Sequence, residues 1–193
     1  MIAAVQERTA PEPVRNDDSL YEVIHGIRVE VPPMSVFASV VTNRLCKHLS
    51  TWIDDNQLGF AVAETLFVFD EDGHERRRPD TAFVSKSKWP LDRIFPATGD
   101  WRVIPNLAVE VISPSETFED VLEKMREYFD FGVQEVWIVS PIMRETHVYT
   151  SPKENRIFSA EDVLEGPILP GFKLPLAQLF LNAPAPVKRK NDV

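Results

Sequence analysis

Glu110 lies in the run Leu107-Ala108-Val109-Glu110-Val111-Ile112, apolar on both sides of the acid. That is the pattern of a strand covered on both faces. An ionised carboxylate buried there without partners costs several kcal/mol, so it has to be paired, protonated or bound to a cation. A second acid, Asp80, stands after Pro79 at the mouth of another short strand, Thr81-Ala82-Phe83-Val84. Two carboxylates converging at strand ends would suit a hard cation, which takes oxygen ligands. Each acid also has a plainer reading: Glu110 satisfied by a backbone amide or an arginine, and Asp80 as a turn residue after proline. Glu64, in Ala61-Val62-Ala63-Glu64-Thr65-Leu66-Phe67, is either a third carboxylate for the same cluster or an outward-facing residue on an edge strand. Arg76-Arg77-Arg78 is either a local phosphate-contacting patch or a solvated charge run in a turn.

The elements around these residues follow from period and punctuation. Tyr21 to Ile24 and Ile27 to Val31 flank His25-Gly26 and predict a β-hairpin. After Pro32-Pro33, apolar positions Val36, Val40, Leu45, Leu49, Trp52 and Ile53 recur at helical spacing to about Asp54. Phe60 to Phe69 is extended and closes on the polar turn Asp70-Glu71-Asp72-Gly73. Ser85 to Pro105 has little periodicity and is expected to be a long ordered excursion. Beyond Glu110, a helix carries Phe118, Val121, Leu122, Met125, Tyr128 and Phe129 on one face and ends at Gly132. Its start is open between a capping box at Ser113-Pro114-Ser115-Glu116 and the onset of the apolar period at Phe118. Val133 to Val139 and Thr146 to Thr150 predict two further strands, so the order of elements is that of an α/β sandwich.

The 193-residue chain is long enough for one sizeable core and too short for two ordinary domains. The expected division is a loose segment over 1–19, a folded domain over 20–182 and a loose tail over 183–193. A net charge of -9 argues against a protein that coats nucleic acid by broad attraction, so any such contact must be local. The single Cys46 excludes an internal disulfide, and with His25, His48, His74 and His147 scattered it gives no zinc-ligand spacing. The first 19 residues resemble neither a signal peptide nor a membrane span, and a soluble, cytoplasmic protein is expected.

Taken in order, Arg78-Pro79-Asp80, Glu110-Val111-Ile112-Ser113-Pro114-Ser115, Lys124 with Tyr128, and Gly132-Val133-Gln134-Glu135-Val136-Trp137 resemble the Uma-two family, nucleases of restriction-endonuclease type within the PD-(D/E)XK superfamily. The likeness runs from Tyr21 to Phe180 and includes Leu169-Pro170-Gly171-Phe172. It implies a restriction-endonuclease-like mixed sheet flanked by helices. It also implies magnesium, with manganese as a substitute, held by Asp80, Glu110 and the backbone carbonyl of Ile112, and DNA as substrate. The superfamily's lysine would fall two residues after Glu110, where this chain has Ile112. The resemblance moves that amine to Lys124 on the following helix, where it would orient the attacking water. A helix-border lysine can reach inward or pair outward with Asp120, and Lys86 and Lys88 are substitutes. The histidine that relatives carry near the start of the first long helix is absent from Pro33-Met34-Ser35-Val36-Phe37-Ala38-Ser39. The implied activity is endonucleolytic, with a homodimer expected for cutting two strands. The alternatives are a nuclease-like fold that no longer cuts and serves as a DNA-binding or protein-interaction module, and a metal hydrolase of another substrate.

Overall fold

The computed structural model describes residues 19–97, 99–113 and 116–183. The expected loose ends lie outside the described residues, except for their innermost positions.

In chain order the elements are β1 (Tyr21–Ile24), β2 (Ile27–Glu30), α1 (Val36–Asp55), β3 (Gly59–Ala63), β4 (Phe67–Val68), β5 (Arg76–Arg77), β6 (Thr81–Ser85) and β7 (Leu107–Val111). They continue as α2 (Phe118–Asp130), β8 (Glu135–Ser140), β9 (Glu145–Ser151), β10 (Glu154–Ser159), β11 (Val163–Leu164), β12 (Leu174–Pro175) and α3 (Leu176–Leu179). The main sheet has the order β10-β9-β8-β7-β6-β3. Every pair in it is antiparallel except β7 with β8. A parallel pair needs a crossover, and α2 supplies it. A second sheet, β2-β1-β5-β4, stands apart from the main one. This is the mixed α/β architecture expected from the sequence.

All five residues of β7 are buried, as its unbroken apolar run requires. Alternation sends Leu107, Val109 and Val111 into one core cluster with Leu45, Leu49 and Trp137. Ala108 enters the other, with Met125, Tyr128 and Phe67. Glu110 shares the face of Ala108 and therefore looks toward α2 and the small sheet, because strand side chains alternate.

The hairpin forms as expected. Its turn residues His25 and Gly26 both have positive φ, 52° and 80°, the pair that a two-residue turn matched to strand twist demands. Helix α1 also stands where the period puts it, but its buried side is Ala38, Val41, Thr42, Leu45, Leu49 and Ile53, while Val36 and Val40 are exposed. Val41, Leu45, Leu49 and Ile53 form a strict i, i+4 row, and Val40 sits one residue, about 100°, away from it.

Local detail corrects two expectations, decides the open start of α2 and shows what orders the long excursion. The single extended stretch from Phe60 to Phe69 divides into β3 and β4 at Glu64, whose φ of 45° no strand can carry. The arginine run is not a turn: Arg76 and Arg77 make β5, paired with β1 and β4. Helix α2 starts at Phe118 with Thr117 as its cap, in a capping box closed by Asp120. The Ser-x-x-Glu spacing does not cap the helix: Glu116 Oε2 accepts the N–H of Ser113 at 2.7 Å. The Ser85 to Pro105 excursion is ordered by aromatic packing, with Trp89 and Trp101 buried edge to face and the backbone of Trp101 bonded to Leu66 and Val68. No strand was expected at β10, β11 or β12; their short segments carry little periodicity.

Candidate functional site

Glu110 meets two donors from one helix face. The hydroxyl of Tyr128 donates to its Oε1 at 2.5 Å, and the amine of Lys124 donates to its Oε2 at 3.1 Å. Lys124 and Tyr128 are four residues apart on α2, so they stand one above the other and converge on the same carboxylate. The outward pairing of Lys124 with Asp120 does not occur, since Asp120 caps the helix through Thr117.

A further carboxylate joins them that the sequence reading did not single out. Glu22, in the middle of β1, lies 3.2 Å from the Lys124 amine through Oε1. It is fixed from the other side by Arg77, whose Nη1 donates to Oε2 at 3.2 Å, and by the Arg78 N–H, which donates to Oε1 at 2.9 Å. Arg77 also pairs with Glu127. The result is one continuous network: Glu127, Arg77, Glu22, Lys124, Glu110, Tyr128. The only signal in the sequence was an acid inside a short apolar strand, Tyr21-Glu22-Val23-Ile24. A four-residue strand has too little period to say which face is buried.

Asp80 reaches the same place from the neighbouring strand. Thr81 stands opposite Val109 in the antiparallel β6–β7 register, which carries Asp80 to the level of Glu110. Its Oδ2 accepts the N–H of Val111 at 2.6 Å, the residue after Glu110. Ile112 follows directly at the end of β7, with its N–H bonded to Val139 O at 2.8 Å. Glu64 lies beside Asp80: its N–H donates to the Asp80 carbonyl at 3.2 Å, while its side chain is exposed just past the edge strand β3.

Burial and charge tune these groups apart. Burial pushes Glu110 up to about 8, with Lys124 pulling it down and Asp80 and Glu22 pushing it further up. Burial also raises Asp80 to about 6, opposed by the Val111 N–H and Lys124 and reinforced by Glu116 and Glu64. For Glu22 burial acts in the same sense, but Lys124, the Arg78 N–H and Arg77 together outweigh it and hold the carboxyl below its ordinary range. Burial works against the charge of Lys124, and Glu110, Glu22 and Asp80 overcome it, so the amine stays protonated. Glu22 is thus firmly ionised between Lys124 and Arg77, beside two carboxyls that lose their protons late.

The remaining candidates fall elsewhere. Lys86 is exposed past the far end of β6, and Lys88 donates to Ile104 O at 3.0 Å. The arginine run offers no free patch: Arg76 binds Asp100 at 2.5 Å, Arg77 is buried between Glu22 and Glu127, and Arg78 donates to the carbonyls of Tyr21 and Glu64. The histidines are spread over the hairpin turn (His25), α1 (His48), the segment before β5 (His74) and β9 (His147). Among the described residues, no three His, Cys, Asp or Glu side chains already converge as a ligand cage.

The mixed sheet, its crossover helix and the acids at adjoining strand ends define the class of restriction-endonuclease-like folds. The chain belongs to the Uma2 family, described as "Putative restriction endonuclease", which matches residues 6–177. A crystal structure titled as a "putative nuclease belonging to DUF820" from Anabaena variabilis ATCC 29413 shares the fold, with a TM-score of 0.74 at 18% identity over 86% of this chain and 93% of that one. No curated protein matches the chain.

Proposed function

We propose that the protein is a magnesium-dependent endonuclease that hydrolyses phosphodiester bonds in DNA. The reading rests above all on one observation: Asp80 and Glu110 reach the same level of two paired strands, with the Lys124 amine on Glu110. The donor set fits a hard cation. Both carboxyls offer oxygen, neither is neutralised by an arginine, and they stay weakly acidic because they are buried, so an added positive charge is what would stabilise their ionised forms.

Asp80, Glu110 and the Ile112 carbonyl would hold the magnesium, or manganese in its place. When bound, it supplies Lewis-acid polarisation of the scissile phosphate and a more acidic water. The chain's own groups do the rest. Lys124 orients the attacking water and balances charge on the phosphate, and Tyr128 fixes the carboxylate plane of Glu110. Glu110 and Glu22 keep the amine protonated, and Arg77 anchors Glu22 so that the amine stays directed at the reacting centre.

Purified protein should nick supercoiled plasmid in magnesium or manganese and stop in chelator. Asp80→Ala and Glu110→Ala should each lose at least about a hundredfold in rate, the scale of removing a preorganised charge-stabilising group. Full cutting by both variants would overturn the proposal. A second reading, a fold that binds without cutting, takes support from both oxygens of Glu110 being held by the protein's own donors. It expects no metal-dependent cleavage by the wild type and no magnesium binding sensitive to Glu110→Gln.

A further inference from the structure

We infer that the Lys124 amine holds the cation's place at Glu110, and that Glu22 is the positioning residue that keeps this amine in the site when the cation arrives. This rests on the metal-dependent reading above.

The geometry is that of an amine shared between two carboxylates. Lys124 Nζ lies 3.1 Å from Glu110 Oε2 and 3.2 Å from Glu22 Oε1. With Tyr128 on Oε1, both oxygens of Glu110 carry a protein donor, and each keeps one lone pair for a cation. Tyr128 is a neutral donor, fully buried, and competes for a lone pair only. Lys124 is the competitor in charge: an ammonium 3.1 Å from Oε2 repels a divalent cation brought to the same buried carboxylate.

An amine expelled from Glu110 with no other acceptor would be a buried, unpaired charge, which is strongly unfavourable. Glu22 removes that cost. It belongs to β1 in the small sheet, independent of β7, and Arg77 and the Arg78 N–H anchor both its oxygens. The amine can therefore give up Glu110 and keep a charged partner with little movement. It then stands next to the cation, where a water or phosphate oxygen would be. One contact serves two states: bridging Glu22 and Glu110 without the cation, resting on Glu22 alone with it.

The test is a double-mutant cycle read by calorimetric titration of the full chain with Mn2+, using wild type, Glu22→Gln, Lys124→Met and the double variant, each checked by circular dichroism. Lys124→Met removes the competitor and should bind Mn2+ about tenfold more tightly than wild type, on the scale of one charge-assisted hydrogen bond. Glu22→Gln leaves the amine with Glu110 as its one strong acceptor and should bind about tenfold more weakly. In the Lys124→Met background the same change should matter by about twofold or less, because Glu22 acts through the amine. Binding by Lys124→Met no tighter than wild type would overturn the inference. So would an undiminished Glu22→Gln effect in that background, which would make Glu22 a ligand in its own right. If Glu22→Gln does not fold, the comparison of Lys124→Met with wild type decides alone, and if Lys124→Met does not fold, Lys124→Gln takes its place. Wild-type binding that is absent, or indifferent to Glu110→Gln, would instead remove the metal-dependent reading and this inference with it.

Discussion

Glu110 and Asp80 are acids whose protons are held by burial, and this has a definite sign in stability and in binding. A carboxyl raised from 4.5 to about 8 binds its proton in the native state while the unfolded chain has already lost it. Native stability therefore falls as pH rises between those values, and Asp80 adds the same slope between 3.8 and about 6. Glu22 acts oppositely, but only below its ordinary 4.5. The melting temperature of the metal-free protein should accordingly drop from pH 5.5 to 8.5, and Glu110→Gln should flatten that slope. Cation binding needs the ionised carboxylates, so manganese affinity should rise through the same interval, with protons released at neutral pH. Buffers of different ionisation enthalpy distinguish that release in calorimetry; identical heats in all buffers would contradict it. Tyr128→Phe takes a hydrogen bond from a buried carboxylate and should destabilise the protein by about 1–3 kcal/mol.

Helix α2 and the sheet that holds β6 and β7 bring these groups together, and each can be loosened away from the site. Thr117→Ala removes the side-chain half of the capping box at the start of α2 and should cost about 1 kcal/mol by denaturant titration, with Lys124 and Tyr128 still in register further along the helix. Gly59→Ala is harsher, because an added Cβ would stand 2.1 Å from the backbone carbonyl of Val84 in the paired strand β6. Long elements with a strong period were legible in the sequence: α1, α2, the doubly covered β7 and the hairpin all stand where the pattern puts them. Glu110, Asp80 and Lys124 were legible as candidates from burial pattern and motif; the pairing of β6 with β7 brings the two acids together, and α2 brings Lys124 onto Glu110. Glu22 was not, because its strand is four residues long and its partners come from β5 and α2, contacts that no local pattern encodes. The arginine run misled for the same reason: charge in sequence says nothing about Glu22, Glu127 and Asp100 waiting to pair with it.

The whole chain carries a net charge of -9, and the basic run beside the site, Arg76-Arg77-Arg78, is spent on internal pairs and backbone carbonyls. Few phosphates can then be neutralised, so DNA binding without the cation should be weak and lose little further affinity with salt, in contrast to proteins that displace many counterions. Gel-shift titrations across salt concentrations check this; a steep salt dependence would show a basic surface the fold does not display. No helix among the described residues is long and apolar enough to cross a membrane. The most direct measurement is the anomalous signal of crystals grown with manganese. One peak should appear between Asp80 and Glu110, about 2.0–2.3 Å from an oxygen of each, with the Lys124 amine withdrawn to Glu22. A peak bound by neither carboxylate, or Lys124 still on Glu110 with no peak beside it at saturating manganese, would contradict the shared-cation site.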